Sequence, residues 1–416
     1  MKIWNMHAAA ALLLAAALPA SAQNQLPANF LGLTTLEVGP AALSGGPDDD
    51  LHTLNHHVRA ANPLVTTSAN SAATQSPAAT LPSAATRQVT GAGHAFGFQG
   101  LSHFDQRFAG TGVYANTQFS LEPPDQGLCA GGGYVMEAIN NAIEVFDSKG
   151  KVVSGPTALS QFFKQLPEII RGTPLVFGQF ISDPRCYHDA ATGRWFVTEL
   201  EIDVDPVTGL DANHSSVLVA VSKTSSPTGE YFLYSFDTTG GDGTDPLHPG
   251  CPCFGDQPLI GADAYGFYVS SNEFSIHAND FNGAQIYALS KAALVAGTLG
   301  TVVHIDAGAI PTPPVDRAFG SLWYSIQPAS SPSAADSQDS GTEFFLSSLQ
   351  FGYTPFDNRI AVWALKGTAS LGSASPHLNL LHTVISSESY GQVNSFGASQ
   401  ESGSTPLRDA LGDTDA

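Results

Sequence analysis

From about Phe96 onward, aromatic and β-branched residues stand in short alternating runs, and Gly, Pro, Asn and Asp separate one run from the next. Alternation with a period of two, punctuated by turn residues, predicts many short strands and an all-β fold. Helical spacing is confined to Thr157 to Ile170, which Pro167 interrupts, and to Leu289 to Ala296. The clearest strands are Tyr134 to Asn140 and Ala142 to Phe146, followed by the turn Asp147-Ser148-Lys149-Gly150. Next come Cys186 to His188, Trp195 to Glu201, Ser216 to Lys223 and Tyr231 to Phe236, then Gly266 to Asn272, Ala284 to Leu289, Phe344 to Leu349 and Ile360 to Ala364. The aromatics among and beside them, Trp195, Tyr231, Phe232, Tyr234, Tyr265, Phe267, Tyr268, Trp323 and Tyr324, are expected to fill the wedges between neighbouring sheets.

These strands recur with a long period. Gly193, Gly266 and Gly341 each precede an aromatic strand and lie 73 and 75 residues apart. Upstream, Pro124-Asp125-Gln126-Gly127-Leu128 resembles Gly255-Asp256-Gln257-Pro258-Leu259, and Asp183-Pro184-Arg185 opens a further copy. Asp183 to Gly193 and Asp256 to Gly266 are both ten residues (193 minus 183, 266 minus 256). Four antiparallel strands per unit predict the blades of a β-propeller, longer than the roughly 40 to 50 residues of short-repeat propellers because of longer loops. Four units fall short of the usual ring. Either the chain continues beyond Ala416, where Gly412-Asp413-Thr414-Asp415 could open another unit, or strands around Phe104 to Phe119 complete it.

The amino-terminal part departs from this pattern. Lys2, the apolar run Ala8 to Leu18 and Ala20-Ser21-Ala22 read as a signal peptide over 1–22, too short for a membrane span, with cleavage near Gln23. Export implies a secreted or periplasmic protein. Residues 23–95 are rich in Ala, Ser, Thr and Pro and are expected to be a disordered leader, in which His52, His56 and His57 lie near Asp48 to Asp50; the propeller is assigned to 96–416.

With 37 acidic against 16 basic residues the formal charge is −21, a sign that opposes nucleic-acid and anionic-lipid partners. Only 13% of residues are charged, so the 43% apolar content is free to build a core.

Cys129, Cys186, Cys251 and Cys253 fit two structural disulfides in an oxidising compartment. Cys129 and Cys186 open adjacent repeats, so a bridge between them would staple two blades at about 2–4 kcal/mol. Cys251 and Cys253, one residue apart, would close a small strained ring if paired with each other. A zinc site is disfavoured, because paired Cys-x-x-Cys spacing is absent.

The sequence holds no Gly-x-Ser-x-Gly elbow, His-Glu-x-x-His or Gly-rich phosphate cradle, and nine arginines in all. Because they recur in successive repeats, Asp125, Asp183 and Asp256 are expected to be structural, each accepting turn N–H bonds where the chain enters a blade. No cofactor is implied apart from calcium. Its candidates are Asp237, Asp242 and Asp245 in a Gly-rich loop, and the alternate aspartates Asp203, Asp205 and Asp211, where Val207 takes a ligand position.

Pro123-Pro124-Asp125-Gln126-Gly127, Gly133-Tyr134-Val135, Asp183-Pro184-Arg185 with Gly193-Arg194-Trp195-Phe196, Ala220-Val221-Ser222-Lys223-Thr224 with Pro227-Thr228-Gly229, and Asp256-Gln257-Pro258 with Gly266-Phe267-Tyr268 carry a resemblance. Over about Glu122 to Lys366 the chain resembles a family of secreted, uncharacterised bacterial β-propeller-like proteins. The resemblance implies fold and location and supplies no catalytic residues. Two functions remain in view: a non-enzymatic binding or scaffold protein for an extracellular glycan, peptide or surface protein, and an extracellular hydrolase acting on polysaccharide through propeller-face carboxylates. Carboxylates with shifted titration that converge in one place would favour the second.

Overall fold

The computed structural model describes residues 23–36, 98, 100–119, 121, 125–278, 280–310, 322–331, 341–349 and 357–390. The alternating runs fold into strands where they were expected. In chain order these are β1 (Gln23–Thr35), helix α1 (His103–Phe108), β2 (Gln126–Gly131), β3 (Tyr134–Ile139), β4 (Ala142–Asp147) and β5 (Val152–Ala158). Then follow α2 (Leu159–Phe162), β6 (Ile169–Ile170), β7 (Val176–Phe177), β8 (Phe180–Asp189), β9 (Arg194–Val204), β10 (Asp211–Ser222) and β11 (Glu230–Asp237). The remainder comprises β12 (Cys253–Ala262), β13 (Gly266–Ser275), β14 (Phe281–Ser290), α3 (Lys291–Ala296), β15 (Thr301–Asp306), β16 (Gln327–Pro328), β17 (Thr342–Ser348), β18 (Asp357–Lys366) and β19 (Asn379–Tyr390).

These strands make four antiparallel meanders, β2–β5, β8–β11, β12–β15 and β16–β19, here called blades 1 to 4. Their first strands lie side by side. A Cβ on Gly127 of β2 would sit 3.0 Å from the backbone of Pro184 and Arg185 in β8, the Gln257 N–H of β12 reaches Asp183 of β8, and Ala262 of β12 donates to Ala329 beside β16. First strands neighbouring one another in sequence order, with the sheets radiating outward, define a β-propeller. Among the described residues no helix is long and apolar enough to cross a membrane.

Aromatic and branched side chains fill each wedge. Trp195, Met136 and Val145 pack between blades 1 and 2. Phe196 stacks on Phe267 at 4.8 Å between blades 2 and 3, and Trp323 meets Trp363 edge-on at 4.7 Å between blades 3 and 4. Most of the predicted wedge aromatics are buried; Tyr265 is exposed.

Two expectations are corrected. Gln23–Thr35, assigned to a disordered leader, is a long strand: residues 23–27 pair with β15 and 28–35 with β11, joining blades 2 and 3 into one nine-stranded sheet. Leu26, Ala28 and Leu31 carry apolar surface into the adjoining cores, and Pro27, which has no N–H to give, falls at the hand-over between the two partners. The remaining leader, including His52, His56 and His57, lies outside the described residues, apart from Leu36. The segment around Phe104 to Phe119 contains α1 and a 3-10 turn at Gly112–Tyr114 instead of strands, because the Ser102/Asp105 capping box favours a helical start. It covers a face of blade 1, where Ala109 and Tyr114 pack with Ile139, Ala142 and Ala158.

Candidate functional site at the first strands

The side-chain faces decide which residues of the blades correspond. In blade 2, Trp195 and Val197 point to blade 1 and Phe196 to blade 3; in blade 3, Phe267 and Val269 point back to blade 2 and Tyr268 to blade 4. Trp195 therefore matches Phe267, 72 residues on (267 minus 195), because an odd offset would turn every side chain to the opposite face. The first strands agree. A bulge separates the pairs Ser182–Leu200 and Arg185–Thr198 in blade 2, and Asp256–Asn272 and Leu259–Ser270 in blade 3. Ser182 thus corresponds to Asp256 and Asp183 to Gln257. Both Asp183 and Gln257 are left-handed, with φ of 60° and 48°, and both precede a proline.

This register corrects the repeat aspartates. The residues copied between blades 2 and 3 are Asp189 and Asp263, 74 apart (263 minus 189), and they do the turn-capping work. Asp189 accepts from Thr192 N–H at 3.1 Å, and Asp263 accepts from Tyr265 and Gly266 N–H at 2.8 and 2.6 Å. Asp183 and Asp256 lie within β8 and β12, beyond the reach of those turns. The equal ten-residue spacing misled because the β8–β9 turn, closed by Asp189 and Arg194, is two residues longer than the β12–β13 turn, closed by Asp263 and Gly266, so an offset of 73 falls midway between the 74 of the first strands and the 72 of the second and matches neither.

Asp125, Asp183 and Asp256 nevertheless come together, on three blades. The buried Asp183 carboxylate accepts the Gln257 N–H at 3.0 Å and the Ser182 hydroxyl at 3.3 Å, while Asn140 of blade 1 reaches Ser182. Half-buried Asp256 is held well above the ordinary carboxylate range, first by desolvation and then by the charges of Asp183 and Asp125. The Gln257 N–H and Arg185 oppose that shift. Arg185 donates to the Pro184 carbonyl at 2.9 Å and the Gln126 carbonyl at 3.4 Å, which fixes it between blades 1 and 2. Blade 4 adds a third left-handed residue, Ser325, whose N–H is held by Asn272 at 2.8 Å. Three left-handed non-glycine residues, Asp183 and Gln257 within first strands and Ser325 just before one, concentrate backbone strain at this end of the propeller.

Behind these residues lie two glutamates that the sequence reading did not single out. Glu199 is fully buried, and neither of its carboxyl oxygens finds a hydrogen-bond partner; burial, then Asp183 and Glu168, raise its titration strongly. Glu168, also buried, is pushed up to about 8 by desolvation although the Phe119 N–H and Asn141 amide bond it. The signal was present in the sequence: Thr198-Glu199-Leu200-Glu201 places acids inside an otherwise apolar strand.

Elsewhere, both cysteine pairs are bonded. Cys129–Cys186 staples blade 1 to blade 2 with a Cα separation of 5.6 Å, as the repeat positions implied. Cys251–Cys253 also closes, at 4.5 Å, correcting the expectation against a direct bridge; it sits in a buried pocket with Glu273, Asn282 and His248. Of the calcium candidates, Asp242 and Asp245 accept N–H bonds within their own turns, from Thr244 and Leu247, while Asp237 faces His214. Asp205 likewise caps its own turn.

Fold and site together define the chain as a β-propeller with convergent, unrepeated carboxylates at its first strands. No family model matches it, and no curated protein is similar to it at a significant level. Among solved structures it is similar to an exo-β-1,3-galactanase from Clostridium thermocellum, at 13% identity and a TM-score of 0.33, over 65% of this chain and 51% of that one. A GH43 β-1,3-galactosidase with galactodeoxynojirimycin gives 14% identity, a TM-score of 0.31, and 66% and 80% coverage. An endo-1,5-α-L-arabinanase from Thermotoga petrophila gives 12%, 0.27, and 58% and 51%. The match thus spans about half the length of the exo-galactanase.

Proposed function

We propose that the protein is an extracellular hydrolase acting on polysaccharide, with Asp256, Asp183 and Asp125 as its working carboxylates. One observation carries this reading. Asp256 and Asp183 are not copies of a shared structural position, yet Asp183, on the neighbouring blade, is among the charges that add to desolvation in holding the Asp256 carboxyl well above the ordinary carboxylate range. A glycosidic bond needs such an asymmetric pair: a protonated carboxyl to give a proton to the leaving oxygen, and a second carboxylate to act on water or the sugar carbon. Asp256 is assigned the acid. Asp183, oriented by the Gln257 N–H and Ser182, is assigned the partner, and Arg185 steadies the charge between them.

The test is turnover of chromogenic glycosides and a polysaccharide panel by the purified chain, beside Asp256→Asn and Asp183→Asn. Each variant should lose about two to four orders of magnitude in kcat while melting with the parent. Glycan-array binding without hydrolysis of any substrate would return the protein to the non-enzymatic binding reading.

A further inference from the structure

A second cluster of chemistry-bearing side chains lies at one end of β9, β10 and β11. Register sets Glu201 opposite Ser216 and Ser216 opposite Asp237, so these three share one face. His214 falls in the β10 bulge between Asp211 and Ser215, which swings its ring between Asp203 and Asp237. We propose that Glu201, Asp203 and His214 form a binding site for a zinc-class divalent cation, distinct from the carboxylates of the first strands.

One donor atom from each of the three residues lies within 4.8 Å of the others, a span that a single ion with bonds of about 2.0–2.2 Å bridges after small side-chain rotations. The His214 ring supplies the more telling detail. Its Nδ1 is shielded from solvent and has no hydrogen-bond partner, although the Asp203 carboxylate stands 3.3 Å away. Its other nitrogen, Nε2, faces the Asp237 carboxylate at 3.6 Å. A small rotation of the ring or of Asp237 would complete the carboxylate–histidine–metal arrangement, in which the outer carboxylate holds the ring N–H and leaves the inner nitrogen as a ligand. The carboxylate ligands have supports of the same kind: the Ser216 hydroxyl donates to Glu201 Oε2, and the Gln179 amide donates to Asp203 Oδ1 at 3.5 Å. Glu201 is buried and His214 is half exposed, so the site has a floor and an entrance.

Charge and donor type select the ion. Two ligating carboxylates neutralise a divalent cation, and Asp237 is matched by the imidazole N–H. An imidazole with two carboxylates suits zinc or manganese, whereas calcium takes six to eight oxygens. Three protein ligands leave a coordination position for water. Asp203 and Asp237 belonged to two separate calcium candidates in the sequence, and His214 is what unites them.

The experiment is calorimetric titration of the chelator-treated full chain with Zn²⁺, and cobalt absorption spectroscopy of the Co²⁺ form. One ion per chain is expected. His214→Ala and Asp203→Asn should each weaken binding more than tenfold, Asp237→Asn several-fold, and the surface variant Asp242→Asn not at all. Should a variant fail to fold, diethyl pyrocarbonate modification of His214 in the wild type provides the readout, and Zn²⁺ should block it. Absence of stoichiometric binding, unchanged affinity in folded His214→Ala, or His214 modification indifferent to Zn²⁺ would overturn the assignment.

Discussion

At the scale of single residues, two aspartates of blade 3, one buried and one half-buried, have opposite jobs. Asp263 accepts two backbone N–H bonds and a Thr368 hydroxyl bond at a buried turn, so Asp263→Ala leaves donors unpaired and should cost about 1–3 kcal/mol, read as a lower denaturation midpoint. The surroundings of Asp256 disfavour its charge, so Asp256→Asn, which removes the charge for good, should leave the midpoint unchanged or raised. A lowered midpoint would return Asp256 to a structural role. The sequence showed that aspartates recur beside the blades' first strands but assigned the recurrence to the wrong pair. A spacing of ten was matched in both repeats, and nothing in one sequence reveals that the turn of blade 2 is two residues longer, so that the match falls between the registers of the two strands. Alternation along Trp195-Phe196-Val197 and Phe267-Tyr268-Val269 held the remedy, since neighbouring wedges require an even offset.

At the scale of elements, strands with strong alternation and β-branched content were legible, and β1 was not. Its Gln23-Asn24-Gln25-Leu26-Pro27-Ala28-Asn29-Phe30 opens with polar residues and a proline, so its order comes from partners far along the chain and not from local propensity. Deleting residues 23–35 should therefore unpair the outer edges of blades 2 and 3. Amide exchange is expected to accelerate in β11 and β15 while β18 stays protected; protection unchanged in β11 would argue against the pairing. The Cys129–Cys186 bridge acts between blades 1 and 2 instead. It closes a 57-residue interval, and on chain-entropy grounds Cys129→Ser with Cys186→Ser should lower stability by about 4 kcal/mol in chemical denaturation.

For the whole molecule, the buried acids set an unusual response to pH. Burial raises Glu168 to about 8 and Glu343 to about 9, with the neighbouring Asp263 carboxylate adding to the shift of Glu343. Between the unfolded value near 4.3 and these folded values, the folded chain binds more protons than the unfolded one, so stability falls as pH rises through that window. His304, lowered to about 4 by burial, works on the acid side: below about 6.5 the unfolded chain takes up a proton that the folded chain refuses. The glutamates outweigh the single histidine in that overlap, so the melting temperature should fall from about pH 5 toward 9, less steeply below about 6.5 than above it. Glu343→Gln, whose carboxyl oxygens have no hydrogen-bond partner, should flatten the alkaline decline; an unaltered slope would exclude that residue as a source. The strand β1 has a consequence in time as well as in space. A ribosome releases Gln23 early, but the partner of Gln23 is Ile305, which is translated 282 residues later (305 minus 23). The leading strand of the nascent chain must therefore wait, extended and half unmatched, until blade 3 has been synthesised. Stalled chains ending near residue 300 should expose that strand to protease, and chains ending near residue 350 should protect it.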